Sequence, residues 1–205
     1  MNKFQSFRST VVPLEADNID TDQIIPARFL KATGRTGFGE NLFRDLRYDS
    51  SGKKKAGFIL NNDSFHGKIL MTGKNFGCGS SREHAAWAIQ DYGFDAIIAE
   101  SFADIFRNNA LNIGLLTITL PENILKQLFA KCKKSPSTQI GVNLRDQFVE
   151  LFDGESTSYP FVINPYKKLC LLEGLDDIDY LLSIRDQIAL FEQKKASSIE
   201  NLSRI

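Results

Sequence analysis

The chain has 205 residues, of which 42% are apolar and 24% charged, and 25 lysines and arginines balance 25 aspartates and glutamates. That length supports one well-buried core, and the balanced charge excludes a global field directed at nucleic acid. No apolar run approaches the roughly 20 residues that span a bilayer, and the N-terminus lacks the apolar core of a signal peptide, so a cytoplasmic location without a membrane segment is expected.

In chain order, residues 10–14 read as a strand, followed by a turn-rich acidic loop over 15–22 and a short apolar segment over 24–30. Between 32 and 57 the composition changes to five glycines, six basic and three acidic residues. A stretch of that kind reads as a functional or mobile loop, with a surface insertion as the plainer alternative and a short helix around 41–48. The middle of the chain alternates regularly. Strands are expected at 68–72, 95–99 and 115–120, and helices from Ser80 to Tyr92, from Phe102 to Asn112 and from Pro121 to Lys133. Gly93 and Gly114 close the first two helices, and Ser101 is a candidate cap for the second. This β-α-β-α-β-α order predicts an α/β protein with a parallel, right-handed crossover core. Short strands follow at 139–144, 147–152 and 159–163, with Asp153-Gly154 as a turn. Helices are expected at 165–172 and 177–194, before a polar, fraying tail over 196–205. A single domain over 1–195 accounts for all of this.

The segment Lys74-Asn75-Phe76-Gly77-Cys78-Gly79-Ser80-Ser81-Arg82-Glu83-His84 carries the most chemistry. Two glycines, two serines and an arginine stand just before a helix, where main-chain N–H groups, hydroxyls and a guanidinium can gather around a carboxylate or phosphate. Ser80 and Glu83 have capping-box spacing, so a plain helix start is the structural alternative. A cation at a helix N-terminus opposes the macrodipole, and an anionic ligand would relieve that misfit. The third glycine of a dinucleotide fingerprint, the P-loop lysine and the G-x-S-x-G elbow are all missing. Asp20-Thr21-Asp22 before Arg28 and Lys31 reads either as a solvated Asx turn or as a second wall of the same pocket. His84 reads as a half-buried, satisfied histidine. Cys78, Cys132 and Cys170 lack ligand spacing, so neither a disulfide framework nor a metal site built from this chain alone is expected.

Asn18-Ile19-Asp20-Thr21-Asp22-Gln23-Ile24-Ile25-Pro26-Ala27-Arg28, the segment 73–84 and Gly93-Phe94-Asp95-Ala96-Ile97-Ile98-Ala99-Glu100-Ser101-Phe102 together resemble the small subunits of 3-isopropylmalate dehydratase, in the aconitase superfamily. The motifs at 36–43 and 174–178 fit as well, and the resemblance covers roughly 4–191. It implies a swivelling β/β/α domain with additional short strands, docked on a large subunit that carries a [4Fe–4S] cluster. It further implies isomerisation of 2-isopropylmalate to 3-isopropylmalate through isopropylmaleate, in leucine biosynthesis. By the family's pattern, Ser80 is the base, while Ser81 and Arg82 bind a carboxylate of the small dicarboxylate substrate. Thr21 and Asp22 belong to the pocket edge, and Arg28 is a further carboxylate candidate. The 32–57 stretch falls where substrate discrimination would lie, with Phe38, Leu42, Phe43 and Leu46 available to an isopropyl group. A homoaconitase or citraconate hydratase small subunit, and a non-catalytic carboxylate-binding module, remain as alternatives.

Overall fold

The computed structural model describes residues 1–30, 37–154 and 156–202, with side chains described as far as 193 and at 195. The strands are β1 (Phe7–Leu14), β2 (Ile69–Thr72), β3 (Ala96–Ala99), β4 (Leu116–Thr119), β5 (Gln139–Asn143), β6 (Phe148–Phe152) and β7 (Ser156–Pro160). The helices are α1 (Thr21–Ile24), α2 (Arg44–Arg47), α3 (Glu83–Tyr92), α4 (Asp104–Ile113), α5 (Glu122–Lys134), α6 (Pro165–Glu173), α7 (Asp177–Ser183) and α8 (Arg185–Leu202).

One seven-stranded sheet organises them in the order β4-β3-β2-β1-β5-β6-β7. The long first strand serves both halves. Val11 to Leu14 run parallel to β2, while Phe7 to Thr10 pair antiparallel with β5. The β2-α3-β3-α4-β4 crossovers give the parallel half, which the α/β alternation predicts, and the β5-β6-β7 hairpins, paired to β1 through β5, give the antiparallel half. Side chains alternate across the buried strands. Ile69, Met71, Ala96 and Ile98 join the core beneath α5, whereas Leu70, Ile97 and Ala99 join Ala85, Ile89 and Phe106 on the side of α3 and α4. Both faces are covered, so each central strand reads as a nearly continuous apolar run.

Four boundaries differ from the sequence expectation, each for a local reason. β7 spans Ser156–Pro160 rather than 159–163, because Phe152 pairs with Ser156 directly across the turn. This polar edge strand lacks the apolar signal supplied by Phe161 and Ile163, which are buried beyond it. α4 starts at Asp104, and Ser101 does not cap it. The Ser101 hydroxyl instead accepts the Asn75 amide at 2.8 Å. The helix expected over 177–194 is broken at Ile184 into α7 and α8, and α8 continues to Leu202, into the segment read as a fraying tail. α3 begins at Glu83 with Arg82 at the N-cap position and no capping side chain, which removes the Ser80–Glu83 capping box.

Candidate active site at the carboxyl ends of β1 and β2

In a parallel sheet, the loops leaving the carboxyl ends of neighbouring strands share one edge and are the usual place for a site. Here the loops after β1 and β2 are stitched together. The Asn18 amide donates to the Lys74 carbonyl at 2.9 Å, Gly77 to Ile19 at 2.8 Å and Thr21 to Cys78 at 2.9 Å. Asn75 Nδ2 adds a bond to Asn18 Oδ1 at 2.9 Å. The two sequence motifs are thus one structural unit, a short extension of the β1–β2 pairing.

Gly77 is required at this join. Its φ is +76°, and a Cβ there would lie 2.2 Å from the Phe106 ring. An L-residue would meet both a backbone penalty and a collision with a fully packed phenylalanine. The chain turns through Gly77 and Gly79, both left-handed, and delivers Ser80 and Ser81 to the surface.

Ser80 meets the first loop directly. The buried Thr21 hydroxyl donates to the Ser80 carbonyl at 3.1 Å and lies 3.2 Å from Ser80 Oγ. The capping box expected at Ser80 occurs in the other loop. Asp20 Oδ1 accepts the Gln23 amide at 2.7 Å, and Gln23 Oε1 accepts the Asp20 amide at 3.0 Å. That box fixes the start of α1 and with it the position of Thr21.

Arg82 lies across the same junction. Both its terminal nitrogens donate to the Asp22 carboxylate, Nη2 to Oδ2 at 2.9 Å. The Arg82 side chain is 19% exposed against 60% for Asp22, so the guanidinium sits in the wall and the carboxylate on the rim. The Arg82 bond holds the Asp22 carboxyl below its ordinary value of 3.8. The misfit of a cation at a helix N-terminus is therefore relieved within the chain, by Asp22. A guanidinium has five N–H donors, and those not aimed at Asp22 leave it able to bind a second carboxylate.

The remaining sequence candidates fall elsewhere. Arg28 does not join the Ser80–Arg82 group. It pairs with Asp45 through both nitrogens, Nη1 to Oδ2 at 2.9 Å, and lines a cleft of about 490 Å³ with Phe29, Arg44 and Lys55. Phe38, Leu42 and Phe43 are core residues at 1%, 0% and 0% exposure, so their side chains are not offered to a ligand. Phe38 packs on the rings of His84 and Trp87, at 5.2 and 5.9 Å between centroids. His84 is accordingly a half-buried packing residue. Leu46 is half-buried, and the 31–36 part of the loop lies outside the described residues.

Two contributors carry no local sequence signal. Asp91, at the end of α3, accepts the Gly37 and Gly39 amides at 2.9 and 2.8 Å and so anchors the returning loop. Arg47 is buried. Its nitrogens donate to the Leu42 and Glu40 carbonyls at 3.2 and 3.4 Å, tying the 39–47 turn together.

Among the described residues, no three His, Cys, Asp or Glu side chains gather where they could hold a metal ion. Cys132 and Cys170 are buried and Cys78 is half-buried, all as free thiols. The donor set for an iron–sulfur cluster is therefore not met within the described chain. None of the described helices is long and apolar enough to cross a membrane.

Residues 1–123 match the aconitase C-terminal domain family. A 3-isopropylmalate dehydratase small subunit from Karelsulcia muelleri is 55% identical, covering 95% of this chain and 98% of that protein. Its counterpart from Christiangramia forsetii is 54% identical over 95% of each, and the one from Roseiflexus castenholzii is 45% identical over the whole of both. The solved structure of 3-isopropylmalate dehydratase LeuD from Methanocaldococcus jannaschii has the same fold. It is 24% identical, with a TM-score of 0.61 over 93% of this chain and 99% of that one. The chain is thus a member of the 3-isopropylmalate dehydratase small-subunit family, built on the aconitase C-terminal domain.

Proposed function

We propose that this chain supplies the proton-transfer and carboxylate-binding half of a cytoplasmic hydro-lyase. That enzyme interconverts 2-isopropylmalate and 3-isopropylmalate through isopropylmaleate in leucine biosynthesis. The other half is assigned to a large subunit, together with its [4Fe–4S] cluster and the Lewis acidity that such a cluster supplies.

The observation that supports this reading most is the convergence of Ser80, Thr21 and Arg82 on one rim, from loops about 60 residues apart. The reaction removes a proton from carbon beside a carboxylate, which is a very weak acid. Charge accumulates on that carboxylate as the proton leaves, so the site must hold fixed positive charge there. Arg82 supplies that charge, and Ser81, whose side chain is exposed, supplies a hydrogen bond.

Ser80 Oγ takes the proton as its alkoxide, after the hydroxyl proton of this exposed residue has passed to solvent. A serine hydroxyl is far too weakly acidic to act as a base unless its anion is stabilised. Three features favour the anion. The first amides of α3 lack a capping side chain, and the positive end of the α3 dipole stands beside Ser80. Arg82 adds a full charge. The Thr21 proton, donated to the Ser80 carbonyl in the neutral state, can turn to the hydroxyl oxygen 3.2 Å away. Asp22 fits a positioning role better than a substrate-binding one, because a carboxylate facing a dicarboxylate repels it.

Mixing the chain with a cluster-loaded large subunit and assaying 2-isopropylmalate, homocitrate and citramalate in parallel tests the reading. Turnover of isopropylmalate well above the other two is expected. Equal or greater turnover of homocitrate or citramalate assigns the chain to a sister hydro-lyase, and turnover by the chain alone refutes the two-subunit scheme.

A further inference from the structure

The groups of the site come from the starts of two helices. Thr21 and Asp22 open α1, and Ser80 and Arg82 lie just before α3. Their contacts, Thr21 with Ser80 and Asp22 with Arg82, depend on how α1 and α3 stand against each other. α3 has no capping side chain, so its first turn relies on tertiary contacts to hold it.

The segment 37–43 is fastened to both helices. At one end, Asp91 Oδ2 accepts the Gly37 and Gly39 amides at 2.9 and 2.8 Å. The backbone there lies directly on the last turn of α3. A Cβ added to Gly39 would stand 2.6 Å from the Tyr92 nitrogen and 2.7 Å from the Asp91 carbonyl carbon. Phe38, between the two bonded amides, is buried with its ring 5.2 Å from that of His84 and 5.9 Å from that of Trp87. His84 belongs to the first turn of α3 and follows Arg82 by two residues. At the other end, the Phe43 amide donates at 2.7 Å to the carbonyl of Ile24, the last residue of α1.

Both fastenings are made at a local cost. Asp91 puts a carboxylate in the last turn of α3, where the helix dipole favours a cation. Phe43 holds φ at +50°, an uncommon conformation for a bulky side chain, and is fully buried. Local strain of this kind persists where the surrounding contacts over-determine it. Here those contacts are the bonds that tie the strap to its two helices.

We infer that Asp91 is a positioning residue for the active site: through the 37–43 strap it sets the spacing of α1 and α3, and with it the alignment of Ser80 and Arg82 with Thr21 and Asp22. Its effect on turnover rests on the roles given to Ser80 and Arg82 above, whereas the alignment itself is a property of the free chain.

The test compares wild type, Asp91→Ala and Asp91→Asn by carboxyl NMR of the free chain and by turnover of 2-isopropylmalate with a cluster-loaded large subunit. Asp22 reports the alignment, because its bond to Arg82 depresses its pKa. In Asp91→Ala the Asp22 pKa is expected to rise toward 3.8. Its kcat/KM is expected to fall by about 10–100-fold, the scale of a small misplacement made far from the chemistry. Asp91→Asn keeps an oxygen for the same two amides, so it should titrate like wild type and retain most of its kcat/KM. Loss of the Asp91 charge alone would instead lower the Asp22 pKa, and in both variants alike. That pattern overturns the inference. An unmoved Asp22 in Asp91→Ala, or unchanged kcat/KM where the wild type turns over, also overturns it and leaves Asp91 a purely structural anchor, whatever its Tm. If Asp91→Ala does not fold, Gly39→Ala lifts the strap from α3 while keeping the Asp91 charge, and the same outcomes decide. An upward Asp22 shift in Asp91→Ala alone, with no turnover in any mixture including wild type, would support the positioning role while refuting the proposed activity.

Discussion

Ser80→Ala separates a catalytic serine from a structural one, and the structure sets the expected size of both effects. As a helix cap in a box with Glu83, Ser80 would cost about 1 kcal/mol on truncation. α3 instead begins at Glu83 with no capping side chain, and Ser80 is an exposed residue whose hydroxyl lies 3.2 Å from that of Thr21. Losing that contact should cost under about 0.5 kcal/mol, near the bottom of the range for a single hydrogen bond. In a chain of this size, about 1 kcal/mol corresponds to a Tm change of about 2–4 °C. Ser80→Ala should therefore melt within about 2 °C of wild type. Asp20→Ala dismantles the real capping box at α1 and should fall by about 2–4 °C. In the reconstituted enzyme, Ser80→Ala should lower kcat by about 10²–10⁴-fold, the usual contribution of a positioned base. Calorimetry and steady-state assays on the same preparations give both numbers. A Tm loss in Ser80→Ala equal to that of Asp20→Ala, or activity within tenfold of wild type, would refute the assignment.

The Asp22–Arg82 pair sets a pH expectation. Because the folded pKa is depressed, the pair's contribution is complete above the ordinary 3.8 and is lost as pH falls through the lower folded value. Carboxyl NMR should find Asp22 titrating below 3.8 in the free chain and returning toward it in Arg82→Ala. Asp22→Asn should raise KM more than it lowers kcat, by about tenfold, since it loosens the Arg82 clamp and leaves Ser80 in place. Phe38→Ala and Phe43→Ala should each cost about 3–5 kcal/mol in urea unfolding, as truncated core phenylalanines do. The milder Phe38→Leu should leave the order of substrate preference unchanged. Thiol labelling should modify Cys78 first at neutral pH. Cys132 is buried with its pKa pushed up to about 11, so it should react only on unfolding.

The parallel half of the sheet was legible in the sequence because its signals are local. Gly93 and Gly114 close α3 and α4 with positive φ, and apolar runs mark β2, β3 and β4. The motif residues were legible too, since Gly77, Ser80 and Arg82 are unusual neighbours before a helix. Their partners were harder to read. Nothing near Arg82 in sequence says that its misfit at the α3 N-terminus is met by Asp22, about 60 residues earlier, and periodicity cannot encode such a pairing. Spacing also misled. Ser80–Glu83 and Asp20–Gln23 have the same three-residue interval, and only the second forms a box. The left-handed turn at Gly79 carries Ser80 out of capping position. Phe38, Leu42 and Phe43 misled differently: a glycine-rich, charged stretch suggests exposure, yet these side chains are its anchors in the core.

The same contrast bears on how the site works. Arg82 is embedded and its carboxylate partner is exposed, so the guanidinium is already oriented within the chain, by Asp22. A pre-oriented cation costs less to align at the moment charge develops than one recruited from solvent.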